Sequence, residues 1–313
     1  MLVNEKKHAY EHLRTLFGAD CQADAFLARY TAARVGGQAD VLLLVNSVEA
    51  LAQAAQQLWE LEMPFRVLGG GSNVLVSDDG VRDIVLLNRA REIEFDTASD
   101  PPAVWTASGV NFGSLARRAA AHRLSGLEWA AGIPGTVGGA IFGNAGAHGG
   151  DVAGNLLMAE ILHQSGTRKT YSVDEMGFEY RSSRLKREKI AAVVLAARFA
   201  LTSGDSATIQ QKMDDYAEFR RRTQPPGASM GSMFKNPPGD YAGRLIEAAG
   251  LKGTRVGNAE ISPLHANFFI NHGGASASDI YALISQVRQL ILQEFGITLE
   301  LEIELLGDFL PLG

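Results

Sequence analysis

The sequence predicts an α+β fold of more than one domain, and three patterns carry that expectation. Early in the chain, short apolar runs alternate with a stretch of helical spacing. Near the end, residues 280, 283, 284, 287, 290, 291 and 295 are apolar, the spacing of one helix face within 279–295. Then Leu299, Leu301, Ile303 and Leu305 alternate with Glu300, Glu302 and Glu304, the period of a half-buried strand with three carboxylates on its other face. With 313 residues the chain can hold two or three domains and bury a substantial core.

In chain order, Met1–Lys7 leads into mixed polar sequence without the apolar segment of a secretory signal. Residues 41–45 (VLLLV) form a short apolar run expected to be a buried strand. Ser47 offers a helix cap, and apolar residues at 48, 51, 52, 55, 58 and 59 follow with helical spacing. Pro64 stops that helix and Phe65–Leu68 begins another strand, so a β-α-β unit with parallel strands is expected. Gly69-Gly70-Gly71-Ser72-Asn73 comes next, then Val74-Leu75-Val76 and the turn Ser77–Gly80. The apolar run after the glycines is too short for a helix and reads as a strand. A Rossmann fingerprint needs its glycines to open a helix, so this is a different kind of loop.

Residues 103–107 and 190–200 are strand-like, with a helix expected over Phe112–Arg123. Glycine then becomes dense: eight of the 19 residues from 132 to 150 are Gly. Such density costs conformational entropy, which a flat ligand or a close main-chain approach would explain. Ala207–Arg222 is expected to be a helix ended by Gln224-Pro225-Pro226-Gly227, and Asp240–Ala249 another closed by Gly250. No internal repeat or low-complexity tract is present.

Composition narrows the function. Hydrophobic residues make up 46% and charged residues 20%, as in ordinary globular proteins. The formal charge of −6 argues against nucleic acid as a partner, because such binders carry excess Lys and Arg. Small anionic substrates need only a few local cations. One cysteine, Cys21, excludes an intrachain disulfide and a cysteine-rich metal site, and no metal centre is expected. No segment reaches the ~20 apolar residues of a membrane helix. A cytoplasmic protein without a membrane partner is expected.

Three segments are candidate sites, each with a plainer alternative. Gly69–Asn73 brings main chain close to any neighbour and can form an anion nest, or it is a tight turn between strands. Gly132-Ile133-Pro134-Gly135, followed by Gly138, Gly139, Asn144 and Gly146, lies against a ligand or against another element. Gly231-Ser232-Met233-Phe234-Lys235-Asn236-Pro237 gathers a hydroxyl, an amine, an amide and an aromatic, or is a solvated loop. Ser232 lacks the Gly-x-Ser-x-Gly elbow of a serine nucleophile. Tyr180, Arg181, His265 and Asn267 fit a site or ordinary surface and core roles, and Glu302 alone fits a solvated strand face.

In combination these segments resemble the UDP-N-acetylenolpyruvoylglucosamine reductase family, also called UDP-N-acetylmuramate dehydrogenase. The matching stretches are RVGG (34–37), VLGGGSNVLVSDDG (67–80), AGIPGTVGGAIFGNAGAHGG (131–150), YRSSRLK (180–186), GSMFKNP (231–237), AGRLIEAAGLKG (242–253) and HANFFIN (265–271). Their order is the family's, and they cover residues about 30 to 307. The resemblance implies a two-part FAD-binding region of the vanillyl-alcohol-oxidase (PCMH) type plus a smaller α+β substrate-binding domain. The implied division is 1–95, 96–205 and 206–298, with 299–313 a strand returning to the flavin region.

The resemblance also implies the chemistry. NADPH reduces FAD and leaves; hydride then passes from flavin N5 to the vinyl carbon of UDP-N-acetylglucosamine enolpyruvate, giving UDP-N-acetylmuramate for peptidoglycan. Ser232 is similar to the family's general acid, Arg181 to the arginine that polarises the substrate carboxylate, and Glu302 to its glutamate. Cofactor contacts fall to Arg34, Gly36, Gly69, Gly70, Gly71, Ser72, Asn73, Gly132, Ile133, Gly135, Gly138, Gly139, Asn144 and Gly146. Substrate contacts fall to Tyr180, Lys235, Asn236, Arg244, His265 and Asn267. A monomer is favoured, of the shorter subtype that lacks a tyrosine-bearing loop. The chain departs from the family at Glu304, where arginine is usual, at His148, where tyrosine is common, and at Arg244, where lysine is common. Two other readings stand beside this one: a flavin oxidase of the vanillyl-alcohol-oxidase type, and a non-catalytic UDP-sugar-binding module.

Overall fold

The computed structural model describes residues 3–312, with side chains from Tyr10 onward. Its first sheet has four strands in the order Cys21–Phe26, Gln38–Val45, Val81–Asn88, Phe65–Leu68. The strands Gln38–Val45 and Phe65–Leu68 both run parallel to Val81–Asn88, which lies between them. The β-α-β unit therefore exists with a third strand inserted. Its helix, Val48–Glu60, starts where the Ser47 hydroxyl accepts a hydrogen bond from Ala50 N at 3.1 Å.

Strands covered on both faces are apolar throughout, which explains the VLLLV run. Val41, Leu43 and Val45 pack toward the helix side with Leu51 and Leu58. Leu42 faces the other way, among Leu27, Leu68, Val76 and Leu87.

The second sheet is antiparallel, in the order Arg168–Tyr171, Leu156–His163, Ala192–Ala200, Ala103–Ala107, Ile93–Asp96. The strand Ile93–Asp96 pairs with Ala103–Ala107, so a division at 95/96 falls inside a strand of this sheet. The helix Phe112–Ala121 is capped by Asn111 and buries Phe112 and Leu115. One apolar core joins the side chains of helix Val48–Glu60 to Phe112, Ile161 and Phe199, tying the two sheets together.

The helix Ser206–Thr223 packs on the helix Phe112–Ala121, with Tyr216 against the first core. The third region carries the helices Ala242–Ala248 and Ala277–Phe295 and a small sheet of Arg255–Val256, Ala259–Ile261 and Phe269–Asn271. Ala277–Phe295 opens with a Ser276/Asp279 capping box and closes at Gly296 in the left-handed region, φ 68°. Asp78, from the turn after Val74–Val76, also accepts from Ala277 N and Ser278 N at 2.8 Å each and from Ser278 Oγ at 2.7 Å. Ala33, Val35 and Leu75 belong to this region's core.

The alternation at 299–305 does not produce one continuous strand. Leu299 and Ile303 are buried as the pattern requires, but regular strand runs only over Glu304–Leu306, after a bend at 302–303. Before the bend, Lys235 N donates to Glu300 O at 2.9 Å and Glu302 N donates to Met233 O at 2.8 Å. After it, Glu304–Leu306 runs parallel to Val74–Val76. The chain changes partners, and the bend is where it does so. Glu302 is consequently not one of three solvated carboxylates: its side chain is 18% exposed, against 74% for Glu300.

Candidate functional site

Asn73, the last residue of the glycine turn, is the point where distant segments meet. Its Nδ2 donates to Glu302 O at 3.1 Å, and its carbonyl accepts from Glu304 N at 2.9 Å. The bend at 302 then directs the Glu302 carboxylate inward, where Oε1 lies 2.8 Å from Arg181 Nε. This ion pair lacks an aligned N–H···O bond, so Arg181 Nε is buried without a hydrogen-bond partner. Arg181 has φ 54°, a left-handed conformation uncommon outside glycine, between its neighbours Glu179 and Ser182, which bond through their main chains. Its guanidinium lies over the exposed Tyr180 ring, 5.4 Å from the centroid.

Burial pushes the Glu302 carboxyl above its ordinary value, against the pull of Arg181, then Lys186 and Lys235. Lys186 Nζ is itself 2.5 Å from Glu304 Oε1, and Lys235 Nζ is 3.2 Å from Glu300 Oε2. Glu304, unusual for the resemblance, is thus the counter-charge of a lysine beside Glu302.

Ser232 enters through main chain. Met233 N donates to Asn267 O at 2.8 Å, and Phe234 exchanges two bonds with the Asn267 amide, Phe234 N to Oδ1 at 3.0 Å and Nδ2 to Phe234 O at 2.8 Å. Asn267 is buried, so its amide acts on the 232–235 segment rather than opening to solvent. Met233 O in turn holds Glu302 N. Glu302, Asn73 and the segment that carries Ser232 are therefore joined by hydrogen bonds, and the ion pair with Glu302 adds Arg181 to them.

The two glycine-dense loops abut. A Cβ on Gly69 would fall on Thr136 Oγ1, and one on Gly70 would come within 2.9 Å of Gly135 Cα. At Gly71, φ 59°, a Cβ would strike the Tyr30 carbonyl oxygen; at Gly135, φ 107°, it would meet Ser72 Oγ at 2.6 Å. These glycines are required by packing. Gly139 differs: it is exposed, and its Cβ would meet nothing nearer than Thr136 Oγ1 at 3.7 Å. Bare main chain, the Ser72 and Thr136 hydroxyls and a buried guanidinium nitrogen without an aligned acceptor fit a dinucleotide's phosphates and a carboxylate-bearing substrate.

The remaining expected contacts are placed as follows. Gly36, φ 121°, packs against Val76, and Arg34 beside it is exposed with φ 57°. Gly132 lies against the Arg220 side chain, and Ile133 N bonds Ala130 O. Gly138 N donates to Ser108 O; Gly146 packs against Gly150 and Asp151. Buried Asn144 bridges Glu179 O and Ala153 N, at 3.0 and 3.2 Å, which ties this loop to the Arg181 turn.

Asn236 Oδ1 accepts from Ala242 N at 3.1 Å, at the start of the helix Ala242–Ala248. Arg244 on that helix pairs with Asp240 and draws its carboxyl down to about 2. His265 Nδ1 accepts from Asn267 N at 3.2 Å, and burial lowers its pKa. Three participants escaped the sequence reading. Lys186 stood inside a quoted motif, and Thr136 was the one hydroxyl among glycines. Arg89, whose Nη1 donates to Gly69 O at 3.0 Å, had no local signal.

Among the described residues no helix is long and apolar enough to cross a membrane, and no cluster of three or more His, Cys, Asp or Glu is placed to hold a metal ion. Residues 39–172 match an FAD binding domain, and residues 223–306 match the UDP-N-acetylenolpyruvoylglucosamine reductase C-terminal domain. The UDP-N-acetylenolpyruvoylglucosamine reductase of Chloroflexus aggregans is 42% identical over 283 residues, covering 90% of this chain and 95% of that one. That of Chloroflexus aurantiacus is 44% identical over 289 residues, covering 90% and 96%. The crystal structure of UDP-N-acetylenolpyruvylglucosamine reductase from Thermus caldophilus has a TM-score of 0.76 at 39% identity, covering 90% of this chain and 98% of that one. The expected α+β fold, a flavin-binding region of the vanillyl-alcohol-oxidase type with a smaller substrate domain, is the one found. With such similarity along nine-tenths of its length, the chain belongs to the UDP-N-acetylenolpyruvoylglucosamine reductase family.

Proposed function

We propose that this protein reduces UDP-N-acetylglucosamine enolpyruvate to UDP-N-acetylmuramate with NADPH as the reductant, in the supply of peptidoglycan precursors. The observation that carries this reading is the convergence of Arg181, Glu302 and the Ser232 segment on Asn73, at the end of the glycine turn. FAD, when bound, supplies the hydride.

Each side chain then has a separate task. Arg181 holds the enolpyruvyl carboxylate and opposes the negative charge that grows there as the double bond is reduced; a fixed guanidinium is most effective against charge that develops late. Ser232 gives its proton to the carbon. A hydroxyl is a weak acid, so its placement by Met233, Phe234 and Asn267 matters more than its acidity. Glu302, its carboxyl raised by burial, shares the substrate carboxylate's hydrogen-bond network when it is protonated.

Gly69–Asn73, with Arg34 and Gly36 beside it and 132–146 facing it, holds the cofactor. Tyr180, Lys235, Asn236 and Arg244 bind the nucleotide sugar, while His265 and Asn267 shape that surface. The division at 1–95, 96–205 and 206–298, whose first boundary crosses the strand Ile93–Asp96, separates flavin-binding parts from the substrate domain, with 299–313 returning to the former. The enzyme works as a monomer in the cytoplasm.

A visible spectrum of the purified protein tests the reading. The yellow absorbance should bleach on anaerobic NADPH and return when the enolpyruvyl nucleotide is added. Ser232→Ala should bleach normally and fail to recover. A colourless protein that FAD does not reconstitute would end the proposal.

A further inference from the structure

Arg220 carries a charge that nothing described in the fold neutralises. It lies in the last turn of the helix Ser206–Thr223, half-buried, and among the described residues it has neither a hydrogen-bond acceptor nor a carboxylate partner. Arg221, beside it, reaches Glu218 at 3.9 Å. Removing a guanidinium from water without a counter-charge is unfavourable, and the burial pushes its pKa down. His148, close enough to feel the Arg220 charge, is no remedy. It is stacked on Tyr216 with ring centroids 4.2 Å apart, and its pKa is lowered by burial and by Arg220 itself.

The position of the side chain limits what the missing anion is. A Cβ on Gly132 would meet Arg220 Cδ at 2.7 Å and Nε at 3.1 Å, so the arginine lies flat against the first glycine of the 132–135 loop. Three residues later, Gly135 abuts Ser72 and Gly70 of the glycine turn. Three residues of main chain span at most roughly 11 Å. A nucleotide whose phosphates lie near the turn is therefore within reach of a fork that binds phosphate oxygens in pairs.

We propose that Arg220 is a phosphate-binding residue for a nucleotide laid along the 132–135 loop. The inference rests on the flavin reading above for where that nucleotide lies. The phosphate has two sources, the bound FAD or the incoming nucleotide, and the experiment separates them.

Arg220→Met keeps the apolar stem and removes the charge; Arg220→Lys keeps charge without the fork. Flavin-stripped protein is titrated with FAD by quenching of flavin fluorescence, holoprotein is titrated with UDP and with NADP, and the apoprotein's thermal midpoint is recorded. In Arg220→Met one affinity should weaken by roughly 10- to 100-fold, the loss expected for a charge-assisted hydrogen bond. Arg220→Lys should regain part of it. The Arg220→Met apoprotein should melt at or above the wild-type midpoint, because the deleted charge had no partner. A weaker FAD affinity assigns the phosphate to the cofactor; a weaker UDP or NADP affinity assigns it to the incoming nucleotide. Unchanged affinities, or a lowered apoprotein midpoint, would overturn the proposal while a flavin-binding wild type keeps the reading beneath it. A wild type that binds no FAD, with UDP binding still dependent on Arg220, would sink the flavin reading and leave the phosphate role standing.

Discussion

Asn73 and Glu302, 229 positions apart, are joined by a hydrogen bond of 3.1 Å from the Asn73 amide to the Glu302 carbonyl. Two residues on, Glu304 N returns the contact to the Asn73 carbonyl at 2.9 Å. The end of the glycine turn and the carboxylate that faces Arg181 are therefore positioned by the same residue.

Asn73→Ala removes the amide and leaves the main-chain bond. The expected cost is about 0.5–1.5 kcal/mol of stability, measured by urea unfolding. Flavin affinity and substrate turnover should fall together. Asn73→Asp should be worse than Ala, because a carboxylate replaces the donor facing the Glu302 carbonyl. Equal behaviour of the two variants would show that the bond at 302 has no influence.

Two glycine substitutions should separate packing from ligand contact. Gly71→Ala places a side chain at φ 59° against the Tyr30 carbonyl and should lose more than about 2 kcal/mol, seen as a lower apoprotein melting point. Gly139→Ala meets only Thr136 Oγ1 at 3.7 Å, within a helical segment where alanine is favoured by up to about 1 kcal/mol. That apoprotein should be as stable as wild type or more so, with weaker FAD binding. Full FAD affinity in Gly139→Ala would remove this main chain from the cofactor surface.

The Glu302 carboxyl is raised above 4.5 by burial. Between 4.5 and its raised value the folded protein keeps a proton that the unfolded chain has released, so stability decreases as pH rises through that window. Glu302→Gln has no proton to release, and its unfolding free energy should be flatter across the same range. In the wild type the rate of substrate-driven flavin reoxidation should fall as pH rises through that interval, and in Glu302→Gln that fall should be absent. An identical pH slope in wild type and variant would place the titration elsewhere.

Asp78 holds the first two residues of a 19-residue helix from another part of the chain, through Ala277 N, Ser278 N and Ser278 Oγ. Asp78→Ala should cost about 1 kcal/mol or somewhat more, since Ser276 still caps the same helix. Hydrogen exchange at Ala277 and Ser278 should quicken more than at the centre of the helix. Unchanged exchange there would mean that water replaces the carboxylate without loss.

Legibility in the sequence followed the range of the interactions. The strand at 41–45, its Ser47-capped helix and the strand after the glycines were readable because apolar period and caps are local. The alternation at 299–305 correctly reported burial of Leu299 and Ile303 but was silent on the change of partner at 302–303, since a period does not name a neighbour. Ser77–Gly80 was visible only as a turn, while its Asp78 serves a helix 199 positions away. The left-handed φ of Arg181 and the Lys186–Glu304 pair depend on tertiary contacts that no short window contains.

Because Glu304–Leu306 lies alongside Val74–Val76, a growing chain finishes its glycine turn long before the segment that braces it exists. While that segment is still inside the ribosome, Asn73 lacks both of its partners. The turn is thereby completed only after residues 302–306 have been made, and until then the Asn73 amide and carbonyl are left to water.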